Sequence, residues 1–172
     1  MVELRTERLQ IRDWRPSDEQ PWAELNADPA VREYLGPVLS AEQSLASIRR
    51  FEASIAEHGF GFWALEVTAT ADFIGFVGLD VVDPGLPFAG VEIGWRLARS
   101  AWGHGYASES AAAVLRYAHD ELGLTEVVAV TAETNLRSQA VMRRLGMVEE
   151  PAYAFEDPTG PVLRQVVYRS TS

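Results

Sequence analysis

The segment Val91 to Ser110 reads VEIGWRLARSAWGHGYASES, in which an apolar strand pattern runs into a glycine turn, WGHGYA at residues 102–107. A helix pattern begins directly after the turn. Gly103 and Gly105 have no Cβ, so the backbone can take left-handed angles and approach a ligand closely. The first N–H groups of a helix have no partner within it, and the helix dipole adds positive charge there. This order of elements favours phosphate or pyrophosphate binding, although a plain tight turn has the same pattern.

Composition excludes several classes of function. The chain has 172 residues, 47% of them hydrophobic, and we expect one domain spanning residues 1–172. It contains no cysteine, which excludes disulfides and thiolate nucleophiles. All 15 basic residues are arginine, and without lysine a Walker-type P-loop or a Schiff-base enzyme is excluded. The net charge of −10 argues against a nucleic-acid partner and suits a cationic substrate.

The termini and the histidines carry few signals. The first ten residues, MVELRTERLQ, lack the apolar core of a signal peptide, and no apolar run reaches 18 residues. We therefore expect a cytoplasmic protein with no membrane partner. The three histidines, His58, His104 and His119, show no metal-ligand spacing, so we expect no metal.

Hydrophobic periodicity predicts alternating groups of strands and helices. Four aromatic residues, Trp22, Tyr34, Trp63 and Phe88, are candidates either for an acceptor pocket or for the core. The predicted elements are a strand at 8–14, short helices after Ser17 and from Asp28-Pro29, a helix at 40–57 closed by Gly59, a hairpin of strands at 62–68 and 73–82, a strand from Val91, a helix at 106–122, a strand at 127–131, a helix at 135–145, and strands near 147–155 and 162–169.

Three motifs in order, VEIGW at 91–95, WGHGYASES at 102–110 and NLRSQAVMRRLGM at 135–147, resemble the acetyl-CoA-binding core of the GNAT acyltransferase superfamily. The branch resembles ribosomal-protein-alanine N-acetyltransferases. The resemblance covers about the whole chain and implies an α/β (α+β) fold, with a mixed, mostly antiparallel, twisted sheet flanked by helices. Its parallel central strands 4 and 5 splay apart and leave a slot for pantetheine. The family's pyrophosphate signature begins with Gln or Arg, where this chain has Trp102.

The resemblance implies acetyl-CoA as the cosubstrate, and the residues of the slot suit it. Backbone groups of Trp95 and Leu97, unpaired where the strands diverge, would bind pantetheine and polarise the thioester carbonyl. The family places a pantetheine-binding Asn at Asn135, which also fits a helix N-cap. The pyrophosphate is expected on the backbone of Gly103, His104, Gly105, Tyr106 and Ala107.

Glu92 is the first candidate for a catalytic base. Strand alternation puts it on the face opposite Ile93 and Trp95. A carboxylate in a mostly apolar strand is costly unless it is paired or used. Glu92 therefore acts as a general base, through a water molecule, or forms an ion pair with Arg96. The sequence leaves both interpretations open.

The group that protonates the departing thiolate is less clear. Many superfamily members use a Tyr seven residues after the Asn, and this chain has Met142 there. Ser138 falls on the same helix face as Asn135 and resembles the serine that this branch is thought to use, so it could hydrogen-bond the sulfur. A small residue at this position would equally leave room for the cofactor.

The function predicted from the sequence is acetyl transfer from acetyl-CoA to a primary amine by direct attack in a ternary complex. The acceptor is a peptide N-terminus or a small-molecule amine, because an α-amine (pKa ~8) is neutral at pH 7 more often than a lysine (pKa ~10.4). The missing Tyr leaves open a non-catalytic acyl-CoA sensor. A dinucleotide-binding oxidoreductase is a weaker alternative, since Gly103, Gly105 and Ser108 approximate G-x-G-x-x-G. The oligomeric state, including a homodimer, stays open.

Overall fold

One mixed sheet organises the computed structural model, which describes residues 3–156 and 163–172. The order across the sheet is β1-β2-β3-β4-β5-β6-β9-β7, and β8 pairs with β9. The strands are β1 Leu4–Arg5, β2 Leu9–Arg12, β3 Phe62–Val67, β4 Asp72–Val81, β5 Val91–Leu97, β6 Glu126–Ala132, β7 Val148–Glu149, β8 Phe155–Glu156 and β9 Arg164–Thr171.

The parallel pair β5 and β6 interrupts an otherwise antiparallel sheet. This confirms the predicted fold class, and the predicted strands 4 and 5 are β5 and β6 because the short β1 precedes them. Along its whole length β5 pairs with β4, but it pairs with β6 only at Glu92 and Val128. The two parallel strands therefore separate beyond Glu92.

The helices are α1 Glu19–Asn26, α2 Pro29–Arg32, α3 Ala41–His58, α4 Tyr106–Asp120 and α5 Leu136–Arg144. Most of their ends follow the predicted signals, but Ser17 does not cap α1, because it lies in a 3-10 turn at Pro16–Asp18 that precedes the helix. Ser40 and Gln43 form a reciprocal capping box at the start of α3, which ends at Gly59 with φ +77°. Asp28 caps α2 by accepting the Ala30 N–H at 2.8 Å. In the described part of the chain, no helix has the length and apolar character needed to cross a membrane.

The sheet carries a core on each face. Residues Ile93 and Leu97 of β5 pack on the α4 side. The opposite side holds an aromatic cluster with α1 and α3, formed by Trp14, Trp22, Phe51, Phe62 and Phe76. Of the four aromatic candidates, Trp22 and Trp63 are fully buried and Phe88 nearly so. These three belong to the core, and Tyr34 alone among them lines the cavity described below.

A buried ion network holds the start of the sheet against α1. Arg12 donates to Asp18 at 2.7 Å and to Glu66 at 2.8 Å, and all three side chains are at most 8% exposed. These hydrogen bonds raise the pKa of the Arg12 guanidinium, although burial opposes them as the largest effect. Strand alternation alone predicts an exposed Arg12; the paired carboxylates explain its burial.

The continuous strand predicted near 147–155 is wrong. A 3-10 turn at Pro151–Tyr153 divides this segment into β7 and β8, because proline lacks the N–H that a sheet ladder needs. The predicted start of the last strand, Val162, lies outside the described residues, and β9 is described from Arg164 onward.

Candidate active site

A cavity of about 860 Å³ opens where β5 and β6 separate. This volume is in the range of small-molecule sites. Its walls come from β5, the turn before α4, the end of β6, α5 and the segment around α2. Nine of the ten predicted site residues line it: Glu92, Trp95, Leu97, Gly103, Gly105, Tyr106, Ala107, Asn135 and Ser138.

His104 is the predicted residue that does not line the cavity. It is exposed, and its ring stacks on Tyr106 with the centroids 5.3 Å apart. Its carbonyl oxygen accepts a hydrogen bond from Nη1 of Arg8 at 3.0 Å. His104 therefore lies on the side of the turn that faces away from the cavity.

The backbone of β5 offers free groups to the cavity. Ala98, directly after β5, donates its N–H to the carbonyl of Ile74 in β4 at 2.8 Å. Neighbouring residues of a strand direct their backbone groups to opposite sides, so Trp95 and Leu97 direct theirs toward β6. The Leu97 carbonyl accepts a hydrogen bond from Trp102 Nε1 at 2.9 Å. The Leu97 N–H and both backbone groups of Trp95 therefore face the widening gap between β5 and β6.

The turn before α4 has the properties of an anion site. Gly103 and Gly105 both have φ +81°, a left-handed angle that side chains rarely adopt. A Cβ on Gly103 would meet nothing within 4 Å, and one on Gly105 would meet only Arg8 Nη2, at 3.6 Å. No side chain caps α4, and within the described residues the N–H groups of 106–108 donate to no backbone carbonyl. These groups fit a pyrophosphate.

Glu92 has the electrostatics of a base that works near neutral pH. It lies opposite Asp80 in the register of β4 and β5. Burial, together with the charges of Asp80 and Asp83, raises the pKa of Glu92 from 4.5 to about 7. Asp80 is itself fixed by Ser54, whose hydroxyl donates to Oδ1 at 3.0 Å. A carboxylate with such a pKa can both accept and release a proton at pH 7.

The ion pair between Glu92 and Arg96 does not form, so that interpretation is wrong. The two residues lie on one face of β5, four positions and about 13 Å apart. Arg96 instead donates from Nη1 to Asn26 Oδ1 at 2.8 Å. Of the ion pairs formed by the described residues, none includes Glu92 or Arg96.

The start of α5 brings Asn135 and Ser138 to the opposite wall. Asn135 caps the helix by accepting the Ser138 N–H at 3.2 Å and donates to Thr131 Oγ1 at 3.0 Å. The Ser138 hydroxyl makes no hydrogen bond within the described part of the chain and is open to the cavity. Met142 is 1% exposed and packs in the core below.

Two arginines near the glycine turn were not predicted from the sequence. Arg137 places its guanidinium 4.5 Å from the ring centroid of Trp102. Arg8 lies 4.8 Å from that of Tyr106 and is held by Glu109. Arg137 lies two positions after Asn135, within the third motif. No sequence signal could place Arg8, which precedes Gly105 by nearly a hundred residues.

Comparison with known proteins identifies the family to which this site belongs. Residues 8–148 match the acetyltransferase (GNAT) domain family. FsC-acetyl coenzyme A-N(2)-transacetylase of Aspergillus fumigatus is 28% identical over 92% of this chain and 70% of its own length. An acetyltransferase of Agrobacterium tumefaciens shares 27% identity and a TM-score of 0.86 over 100% of this chain and 95% of that one. RimL, a ribosomal L7/L12 alpha-N-protein acetyltransferase in complex with coenzyme A, shares the fold (TM-score 0.80, 16% identity, 99% and 98% covered). The resemblance inferred from the three motifs is confirmed.

Proposed function

The chain belongs to the GNAT acetyltransferase family and is an acetyl-CoA-dependent N-acetyltransferase, and we propose that it acetylates a peptide N-terminus or a small-molecule primary amine. One observation carries the proposal. Glu92, with a pKa of about 7, lines the same cavity as the free backbone groups of the glycine turn. A proton acceptor and an anion site thus share one cavity, as amine acetylation from a phosphate-bearing donor requires.

The chain's own groups supply the binding half of the reaction. The N–H groups that begin α4 would hold the pyrophosphate. The backbone of Trp95 and Leu97 would continue the β5 ladder along the pantetheine, and the Leu97 N–H could polarise the thioester carbonyl. Asn135 already uses its side chain to cap α5, so its contact to pantetheine would come from its remaining hydrogen-bonding capacity.

The chemical step would be a direct attack. The amine nitrogen forms a bond to the acetyl carbon, and the bond from that carbon to sulfur breaks. Glu92 takes the proton that the amine loses, through a water molecule, and the thiolate then takes up a proton from solvent or a neighbouring group. The Ser138 hydroxyl would donate a hydrogen bond to the departing sulfur. No covalent enzyme intermediate is needed.

The protonation state of the acceptor sets the preferred amine. At pH 7 an α-amine with a pKa near 8 is neutral about a tenth of the time, while a lysine near 10.4 is neutral less than about once in a thousand. Glu92, with a pKa of about 7, would be the base, and an amine of low pKa suits a base of this strength better than a lysine does. The net charge of −10 would also attract the ammonium form of the acceptor from solution.

The test is release of coenzyme A from acetyl-CoA in the presence of single amines. The panel contains a short peptide with a free N-terminus, the same peptide blocked there but carrying a lysine, an aminoglycoside and simple alkylamines. We expect kcat/KM to be highest for an amine of low pKa. Absence of release with every amine would refute the proposed reaction, and preference for the lysine peptide would refute the acceptor class.

A further inference from the structure

Arg96 is a cation in the cavity wall that lacks an acidic partner. Its Nη1 donates to Asn26 at 2.8 Å, and its Nε is buried without a hydrogen-bond partner. Its Nη2 also makes no hydrogen bond within the described residues. The guanidinium packs against Trp22 and Phe76, 5.3 and 5.5 Å from their ring centroids. It is therefore held in place with donor capacity to spare.

The surroundings of Arg96 add positive charge. Burial, and then the charges of Arg32 and Arg50, lower the pKa of Arg96 to about 9, and a guanidinium stays protonated at neutral pH. Arg32 donates from Nε to the Pro37 carbonyl and from Nη2 to the Leu35 carbonyl. Glu33 also lines the cavity, yet no ion pair among the described residues includes it or these three arginines.

Arg96 is half-buried and its Nε is fully buried, so leaving this cation without an acidic partner is costly. An anionic group on a bound ligand would pair with Arg96 and offset this free-energy cost. Of these three arginines only Arg96 lines the cavity, and Arg50 is exposed on α3. The free Nη2 can donate to a carboxylate oxygen, and one guanidinium balances the single negative charge of a carboxylate.

The two ends of the cavity therefore differ in charge. Glu92, near Asp80, marks the end where the amine must react, and Arg96 lies on the same face about 13 Å away. We propose that the acceptor carries a carboxylate that binds Arg96, separated from its amine by about the length of a tripeptide. Each residue of an extended peptide spans roughly 3.3–3.6 Å, so a free α-amino acid is too short. This inference rests on the proposed N-acetyltransferase function.

Trialanine and trialanine amide form a matched pair of acceptors, since they differ only in the terminal carboxylate. We expect kcat/KM for the acid to exceed that for the amide by about tenfold or more, the usual scale of a charge-assisted hydrogen bond. Arg96→Met should reduce this ratio to about one and leave the rate with the amide within about threefold of the parent. Arg116→Gln removes the same charge from the exposed face of α4 and should leave the ratio unchanged.

Peptide length tests the geometry without any variant. Acid preference should be greatest near three residues and smaller for dialanine and pentaalanine, because only one span reaches from Glu92 to Arg96. Equal or lower kcat/KM for the acid at all lengths would overturn the proposal. So would an acid preference that Arg96→Met retains, or turnover of uncharged alkylamines with no turnover of either tripeptide.

Calorimetry separates this proposal from the proposed function. Trialanine and its amide are titrated into the protein saturated with coenzyme A. Tighter binding of the acid, lost in Arg96→Met, supports the carboxylate site even if no acetyl transfer is observed. Acetyl transfer to both peptides with equal affinity would leave the enzyme function standing and refute the carboxylate site.

Discussion

Replacing Glu92 by Gln tests the catalytic base with almost no change in shape. The substitution keeps the side-chain size and removes the ability to accept a proton. We expect kcat to fall by about 10²-fold or more at neutral pH, the usual scale for the loss of a general base. Affinity for acetyl-CoA should stay the same, because the predicted pyrophosphate site lies at the glycine turn before α4.

The pH dependence follows from the raised pKa. With a pKa of about 7, Glu92 is ionised in about a tenth of molecules at pH 6 and in about nine tenths at pH 8. The parent's kcat/KM should therefore rise with pH through 7. The residual kcat/KM of Glu92→Gln should not show the rise that is due to Glu92. Deprotonation of the acceptor amine also raises kcat/KM with pH, and an acceptor of low pKa moves that second rise to lower pH. Steady-state rates between pH 5 and 9 measure both profiles.

The same shift predicts a gain in stability for the variant. A carboxyl pKa raised from 4.5 to about 7 means that the ionised form is unfavourable in the folded protein. The parent therefore loses stability as pH rises through this interval, by about 3 kcal/mol at about 1.4 kcal/mol per pH unit. Glu92→Gln should unfold in urea with a higher free energy than the parent above pH 7, and with a similar one near pH 4.

Asp80→Asn is the matched control, because it removes the nearest like charge and leaves Glu92 in place. It should lower the pKa of Glu92 and shift the rise of kcat/KM to lower pH, while activity at pH 8 is retained. An unchanged rate of Glu92→Gln across pH 6 to 9 would remove Glu92 from the mechanism. A parent profile that Asp80→Asn does not move would show that another group titrates.

Two further variants test the anion site and the buried ion network. Gly105→Val should weaken acetyl-CoA binding by at least about tenfold in calorimetry, because φ +81° strains a branched side chain and that side chain would fill the space through which a phosphate approaches the backbone. Gly123→Val, at φ +66°, carries similar strain away from the cavity and should keep the affinity; equal losses would misplace the site. Arg12→Met should lower the free energy of unfolding by about 3 kcal/mol or more, since it leaves buried carboxylates without their partner. Arg5, whose side chain is 69% exposed, forms an ion pair on the surface, so Arg5→Met should lower the free energy of unfolding by less than about 1 kcal/mol. Similar losses for Arg5→Met and Arg12→Met would contradict the role of burial.

Local signals in the sequence predicted most of the fold. The helix boundaries follow from caps such as Ser40 and Gly59, which act within one turn of the chain. The hairpin of β3 and β4 follows from two β-rich runs joined by a short turn. The failure at 147–155 came from reading apolar residues without weighing Pro151, which cannot donate to a ladder. Pairing of β9 with β6, β7 and β8 is non-local and has no such signal.

In the candidate site too, residues placed by local sequence could be predicted and residues placed by non-local contacts could not. The places of Gly103, Gly105 and Asn135 on the cavity could be predicted because a glycine turn and a helix cap are built from consecutive residues. Arg8 could not be predicted, since a contact between the residue before β2 and the start of α4 depends on the order of strands in the whole sheet. The sequence pattern offered Arg96 only as an ion-pair partner for Glu92. A spacing of four brings helical residues together but separates strand residues by about 13 Å. Because the sequence already predicted a strand here, it also argued against an ion pair between Glu92 and Arg96.

The charge of the acceptor shows what composition can and cannot predict. A net charge of −10 describes the field far from the molecule and favours a cation. Inside the cavity, Glu92 and Arg96 set opposite signs at the two ends. A peptide acid with an ammonium at one end and a carboxylate at the other has no net charge to be attracted at long range, whereas its amide remains a cation. Because charges separated by more than about 10 Å are largely screened at 0.1 M salt, added salt should lower kcat/KM for the tripeptide amide more than for the acid. Equal salt dependence of the acid and the amide would mean that the overall field does not draw the cation to the cavity.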